Sequence, residues 1–595
     1  MATVRRKHTV IAGLIATLAL FYLWTINDAV SLQSQGWSAE ELYYIEAPDY
    51  FWTILPFNYP PDSGRQFPET NSKELPKVQF SFPKETTAAR NVREERQRAV
   101  KQAFSRCWSA YKQYAWLSDE LTPVSGGHKN PFGGWAATLV DSLDTLWIMG
   151  WRGPELDEVV SAAATIDFTS TEMHEINVFE TNIRYLGGFL AAFDLSRDVR
   201  LLRKAVEVGE MLYHAFDTPN HMPVTRWDVH AAMRGERQVA GTLLIAEIGS
   251  LSMEFTRLSQ LTGNSKWFDA IQRIMHELAA QQSSTAIPGL WPLTIDAGKM
   301  VFNSGSTFTL GAMADSVYEY LPKMSALTGG QLEVYQTMYE KAIETVANHI
   351  LFRPMTPTDE DILIAGQIHM KDQDGLVVAE LEPQGQHLVC FLGGLVALAS
   401  KLFRRPDDMA VATKLVEGCI WTYKAFPHGV MPETFTMKPC ATKDNCTWDD
   451  AYWRQEVKTR VGGNNKDARI DEIISQERLP RGFTSVPDRR YILRPEAIES
   501  LFVLHRTTGR QDLVESAWDM FQAINRSTST QLTNSAVWDV TLPLDQAPQF
   551  SDSMESFWMG ETLKYFYLIF SEPSLINMDE FVFNTEAHPF RRPVR

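Results

Sequence analysis

The chain has 595 residues, 44% hydrophobic and 22% charged, a globular composition that can bury a core in one very large domain or several ordinary ones. Its net charge of −17 argues against a nucleic-acid partner, because phosphate backbones need clustered Lys and Arg. An excess of carboxylates suits a cation or a neutral, hydroxyl-rich ligand.

The first element is of membrane size. Residues 1–8 are basic, and residues 9–26 carry no charge. At 1.5 Å per helical residue that run spans roughly 27 Å, the thickness of a thin bilayer. The expectation is a cytoplasmic tail at 1–8, a transmembrane signal anchor at 9–26 and a lumenal remainder, with Arg5, Arg6 and Lys7 on the cytoplasmic side. The stretch "NDAVS" offers a cleavage site as the alternative.

Residues 27–87, rich in Pro, Ser, Gln and charge, read as a lumenal stalk. From about Ala88 helical spacing dominates, and alternating strand patterns are scarce. Residues 244–264, 311–330 and 494–510 share one plan: an apolar helix with carboxylates in its first part and Thr-Gly or a close relative at its end. The segment from Phe179 looks like a fourth copy, and three further apolar helices are of similar character. Seven apolar helices alternating with amphipathic ones predict two concentric layers, an all-α (α/α)7 barrel over 88–595. Its mouth should collect the polar residues at one end of each inner helix. Residues 436–490 are the one long polar interruption.

Several acids interrupt the apolar helices. Asp315 and Glu319 are four apart and Glu496 and Glu499 three apart, spacings that put both members on one helical face. Glu180, Glu254, Glu555, Glu561, Asp141 and Asp144 do the same singly. Any one alone reads as an ion-paired or capping acid. Together they outnumber the evident partners Arg184 and Arg494, and buried carboxylates are costly unless paired or bound to a cation. Glycoside hydrolysis is the chemistry that most directly needs two separated carboxyls, one to protonate the leaving oxygen and one to activate water. His387, in "QGQHLVCFLGG", reads as a packed core histidine or as a group orienting a sugar hydroxyl. In "FNTEAHPF", His588 has no second histidine at zinc spacing. A hard cation fits better there, since Thr585 offers carbonyl and hydroxyl oxygens.

The five cysteines are Cys107, Cys390, Cys419, Cys440 and Cys446, so at least one is unpaired within the chain. Cys440 and Cys446 could close a small loop, and Cys390 and Cys419 lie in two helical-looking segments. Asn445 and Asn525 begin N-glycosylation sequons, meaningful if the lumenal placement holds.

The ordered motifs "GGWAATLVDSLDTLWIMG", "FETNIRYLGG", "ADSVYEYL", "HLVCFLGG", "RPEAIESL", "ESFWMGETLKY" and "FNTEAHPF" resemble the class I α-1,2-mannosidases, glycoside hydrolase family 47, over residues 88–592. The resemblance implies a seven-fold barrel plugged by its last segment, one Ca2+ at the base of the pocket and removal of α-1,2-linked mannose with inversion. It further implies high-mannose N-glycans as substrate and a single-pass type II protein of the Golgi or endoplasmic reticulum, expected to be monomeric. By the same resemblance Glu180 is the acid, Glu496 the base and Asp315 the third catalytic carboxyl, with Glu180 and Asp315 both open as proton donor. Thr585 is implied as direct calcium ligand and Glu586 as one through water. Glu254, Glu319, Glu499 and Glu561 match pocket acids that hold calcium waters and sugar hydroxyls. His387, Arg494 and Phe557 match residues that touch the terminal mannose, Arg184 is a further substrate-side cation, and Cys390–Cys419 matches the structural disulfide. The position two before Asp315 looks to be arginine in relatives that remove one mannose and apolar in those that remove several; here it is Met313. The rival readings are a quality-control relative acting on misfolded glycoproteins and a mannose lectin that no longer cleaves.

Overall fold

The structure is a computed structural model that describes residues 50–61, 64–68, 75–461 and 469–593. The expected cytoplasmic tail and anchor lie outside these residues. Among the described residues no helix is long and apolar enough to cross a membrane.

Fourteen helices make the body: α1 (Thr87–Tyr114), α2 (Ala137–Ile148), α3 (Pro154–Ala164), α4 (Gly187–Ser196), α5 (Val199–Tyr213), α6 (Ser252–Thr262), α7 (Lys266–Gln281), α8 (Asp315–Leu327), α9 (Glu333–His349), α10 (Phe391–Leu402), α11 (Asp408–Ala425), α12 (Glu496–Thr508), α13 (Asp512–Thr528) and α14 (Leu563–Ile569). The even-numbered helices touch in sequence, α2–α4–α6–α8–α10–α12–α14, and the π-helical turn Trp558–Thr562 before α14 closes the ring against α2. Each odd-numbered helix from α3 to α13 packs on the inner helix before it, and α1 packs on α14.

Local sequence explains the two layers. Inner helix α12 is buried from Glu496 to Thr507. Outer helix α7 buries only a stripe, with Trp267, Ile271, Ile274, Met275 and Leu278 recurring at helical spacing. The repeated Thr-Gly is a stop signal: Gly263 and Gly509 end α6 and α12 in the left-handed conformation, at φ +73° and +76°, which costs a residue without a Cβ least.

The fold is helix-dominated but not all-α. Short antiparallel ladders sit just ahead of inner helices. Glu175–Asn177 pairs with Arg226–Asp228, Thr242–Leu244 with Thr294–Asp296, and Thr307–Thr309 with Gln367–Gln373, which also pairs with Leu376–Glu382. A fourth sheet orders Gln384–Gln386, Thr434–Met437 and Phe483–Asp488. Three-residue strands are too short to show a period of two. The long hairpin did carry a signal, Asp374-Gly375 at positive φ between its strands.

Part of the stretch expected as a stalk lies on the barrel instead. Trp52 is buried, with its Nε1 donating to Phe168 O at 3.3 Å. The Tyr59, Arg65 and Val78 amides donate to Asp217, Asp269 and Asp579. Burial of an aromatic and satisfied backbone amides hold this segment down, despite its Pro-rich composition.

Cys390–Cys419 is bonded with Cα atoms 6.1 Å apart, joining the start of α10 to α11, and Cys440–Cys446 closes its loop at 5.4 Å. Cys107 is buried and free. Asn445 is exposed, whereas Asn525 is half-buried within α13, its Oδ1 accepting from Asn534, and Ser527 of its sequon is buried. The polar interruption forms helices Asp450–Val461 and Ile470–Gln476 before returning as the strand Phe483–Asp488.

The C-terminal hairpin, Phe581–Phe583 paired with Pro589–Arg591, reaches α8 on one side and α4 on the other. Phe583 packs against Phe502 of α12 and Tyr565 of α14. Gly187 makes room for it: a Cβ there would stand 2.7 Å from Asn584 Nδ2.

Candidate active site

The three acids expected to be catalytic lie at the N-terminal ends of inner segments. Asp315 and Glu496 are the first residues of α8 and α12, where the helix dipole favours negative charge. Glu180 ends a short helix whose first amides are capped by Asn177 Oδ1, and the π-helical turn Thr181–Leu186 follows it. Glu319 and Lys323 then follow Asp315 at steps of four, each step about 6 Å deeper along the helix. The spacing visible in the sequence is thus a descent from rim to floor.

A three-stranded sheet builds the surroundings of Glu496. His387 follows its first strand, Glu433 precedes its second, and Arg494 lies beyond its third. Backbone bonds from His387 N to Glu433 O and from Glu433 N to Arg490 O, both 2.9 Å, hold the three segments level. His387 Nδ1 is 2.9 Å from Glu496 Oε2, and Nε2 is 2.7 Å from the Tyr423 hydroxyl. Arg494 donates from Nε to Glu433 at 2.6 Å and sits 3.5 Å from Glu496 Oε1. Burial by itself would raise the Glu496 carboxyl, but the bond to His387 and the Arg494 charge outweigh it and hold the group below its ordinary value. Asp315 behaves oppositely. Burial first, then the charges of Glu319 and Glu496, push it up to about 7.

Arg184 organises the Glu180 side. Its Nε donates to Glu180 at 2.9 Å and its Nη1 to Ser556 Oγ at 3.0 Å, and it pairs with Glu586 and Asp141. Its guanidinium lies over the Phe132 ring at 4.5 Å and the Phe557 ring at 5.9 Å.

The floor is made by the C-terminal loop and the second turn of the inner helices. Glu254 accepts from Asn182, Asn584 and Tyr320. Lys323 pairs with Glu319, with Glu499 at 3.4 Å and with Asn584 O. Lys564 bonds Asp144 and Ala587 O, and His588 Nδ1 bonds Asp144. Burial and mutual repulsion push Glu499 up to about 8 and drive Glu561 and Glu586 well above the usual carboxylate range. Thr585 is held by its amide on the Tyr320 hydroxyl at 3.3 Å.

This floor fits a hard cation. Its donors are oxygens, and the buried acids Asp141, Asp144, Glu254, Glu319, Glu499, Glu561 and Glu586 face Arg184, Lys323 and Lys564 as their buried cations. The Thr585 hydroxyl and carbonyl make no hydrogen bond among the described residues. No group of three or more His, Cys, Asp or Glu is set to hold a metal directly among those residues.

The structure brings together Glu180, Asp315, Glu496, Arg184, Arg494 and the floor acids. Met313 is 53% exposed at φ +72° just ahead of α8. His387 differs from its expected role of touching a sugar: it is fully buried, and both ring nitrogens are occupied by Glu496 and Tyr423. Sequence reasoning missed Glu433, Tyr423, Lys323 and Lys564. The lysines carried a signal, since Lys323 stands four after Glu319 and Lys564 three after Glu561 in apolar helices. Tyr423 carried none.

Residues 103–592 match the profile described as glycosyl hydrolase family 47. The chain is 32% identical over 541 residues to the human endoplasmic reticulum mannosyl-oligosaccharide 1,2-alpha-mannosidase, covering 89% of this chain and 68% of that one. It is 31% identical to a mannosyl-oligosaccharide 1,2-alpha-mannosidase of Arabidopsis thaliana, over 84% of this chain and 79% of the other. Among solved structures it is similar to an alpha-1,2-mannosidase from Trichoderma reesei, with a TM-score of 0.72, 31% identity, and coverage of 84% of this chain and 99% of that one.

Proposed function

The chain belongs to glycosyl hydrolase family 47, and on that premise we propose that it is a mannosyl-oligosaccharide 1,2-α-mannosidase that trims high-mannose N-glycans by inversion with bound calcium. One observation supports this above the others. Two carboxyls at the N-terminal ends of inner helices α8 and α12 are driven apart, Glu496 below its ordinary value and Asp315 up to about 7. Titratable groups separated in this way take opposite roles in proton transfer.

Glu496 is the base. Held ionised by His387 and Arg494, it takes a proton from a water that attacks the anomeric carbon. The proton for the leaving oxygen comes from the other side. Glu180 was the first candidate, but it is ion-paired to Arg184 at 2.9 Å, whereas Asp315 is pressed towards its protonated form. Asp315 is therefore the favoured donor, and Glu180 with Arg184 holds and orients the sugar. Phe557, 8% exposed against the Arg184 guanidinium, offers a ring edge to the sugar face. Thr585, with Glu586, Glu254, Glu319, Glu499 and Glu561 through water, would hold the calcium, which supplies positive charge to sugar hydroxyls at the pocket base.

The anchor at 9–26, the type II orientation in the Golgi or endoplasmic reticulum and a monomeric state belong to the same proposal. The basic tail ahead of an uncharged run supports the first two. The test is a time course of the full chain on a defined nine-mannose glycan. Release of α-1,2-linked mannose is expected; binding without release would instead establish the lectin reading.

A further inference from the structure

We infer that Tyr423, on the outer helix α11, is a positioning residue that sets Glu496 through His387, an inference that rests on the reading of Glu496 as base. Three groups stand in line: the Tyr423 hydroxyl 2.7 Å from His387 Nε2, and His387 Nδ1 2.9 Å from Glu496 Oε2. An ionised carboxylate only accepts, so Nδ1 carries a proton. With one proton on the ring, the lone pair is then at Nε2, where a phenol can donate. Tyr423 thereby reinforces the tautomer that the carboxylate already demands and fixes the ring that presents N–H to the base. In the other tautomer a lone pair would face the carboxylate and destabilise its ionised form.

The surroundings leave the ring no other polar partner. His387 is fully buried, with the Tyr423 and Tyr491 rings 5.6 and 5.7 Å away, and the Tyr491 hydroxyl also bonds the Tyr423 hydroxyl. The charged groups facing the line are Arg494, which takes Glu496 Oε1, then Glu433 behind Arg494, and Asp315 from α8. Glu496 thus has one oxygen on Arg494 and one on His387, and the second contact depends on Tyr423. A covalent link fixes the spacing. Cys419 is one helical turn before Tyr423 on α11, Cys390 lies three residues after His387, and the two are bonded. The disulfide ties the helix face that carries the hydroxyl to the segment that carries the ring.

The test is Tyr423→Phe, which keeps the ring and removes the hydroxyl, assayed on 1,2-α-mannobiose. The acidic limb of kcat/KM should move up by about one pH unit, on the scale a lost hydrogen bond to an ionised group produces. KM should be unchanged, because Tyr423 touches no substrate. In a His387→Asn background the same change should move the limb no further. A folded Tyr423→Phe protein with an unmoved limb overturns the inference, as does an equal shift in both backgrounds. Ring 15N spectra of histidine-labelled protein, assigned with His387→Asn, decide independently of turnover. The Nδ1–H tautomer should be present in the parent, and the Nε2 resonance should shift in Tyr423→Phe as that nitrogen loses its hydrogen bond; an unmoved Nε2 resonance overturns the inference. Absence of any mannose release by the parent would sink the reading of Glu496 alone, and the spectra would still decide the Tyr423–His387 link.

Discussion

His588 Nδ1 lies 2.9 Å from Asp144 Oδ2, so the last segment of the chain is bonded to its first inner helix, across 444 positions. Lys564 shares the same carboxylate oxygen at 2.9 Å, and all three side chains are fully buried. His588→Ala leaves the buried Asp144 with Lys564 and a 3.4 Å bond from the Thr145 hydroxyl. Breaking a buried pair in this way costs about 3–5 kcal/mol. A chemical denaturation midpoint equal to that of the parent would show that the tail is not held through this contact.

The pH dependence follows from the two separated carboxyls. Glu496 works as a carboxylate and is held below its ordinary value, so activity should be lost only on the acidic side of the usual glutamate range, near 4.3. Asp315 works with its proton, so activity should fall as pH rises through about 7. Asp315→Asn is expected to lower kcat by about 10²–10⁴, the range for loss of a general acid, and to abolish the alkaline limb. An alkaline limb that survives Asp315→Asn but disappears in Glu180→Gln would move the proton donor back to Glu180.

Inversion is expected because Glu180, Asp315 and Glu496 stand on different inner segments, and inverting enzymes keep their carboxyls roughly 6.5–9.5 Å apart to admit a water. Proton NMR of the first-formed mannose should show the β anomer. An α anomer appearing first would mean a covalent intermediate and a different mechanism.

Chelation should abolish turnover and lower the melting temperature. A ligand held only by the native state stabilises it by mass action, about 2.7 kcal/mol at a hundred times its Kd. Thr585→Ala removes the hydroxyl while keeping the carbonyl, and should weaken calcium binding without unfolding the protein. If EDTA leaves both melting temperature and turnover unchanged, calcium is not the cation this floor holds.

Met313 bears on how many mannoses are removed. It is 53% exposed just ahead of Asp315 and offers no donor, so the rim there lacks a polar clamp for one glycan branch, and several mannoses should be removed. Specificity is a difference of affinities, and Met313→Arg, with donors in a fixed fork, should narrow it. High conversion of a nine-mannose glycan should accumulate a five-mannose product. A clean stop after one mannose, unaffected by more enzyme, would assign specificity elsewhere.

The sequence by itself determined what depends on local periodicity. Asp315 with Glu319 and Glu496 with Glu499 share helical faces whatever the rest of the chain does, and the Thr-Gly endings are helix stops wherever they occur. The ordered motifs were enough to reach the family. What only the tertiary structure decided is which group meets which. His387 was legible as a polar residue at the start of an inner helix, but its turn towards Glu496 needed Tyr423 on an outer helix and a sheet closed by the strand Phe483–Asp488. The three-residue ladders ahead of the inner helices were invisible because three residues cannot display a period of two. The packing of residues around Trp52 was equally hidden, since its partners Phe168 and Trp227 lie more than a hundred positions away. Spacing along one helix is set by its own hydrogen bonds, whereas partners from distant segments are chosen only when the ring of helices closes and desolvates them together.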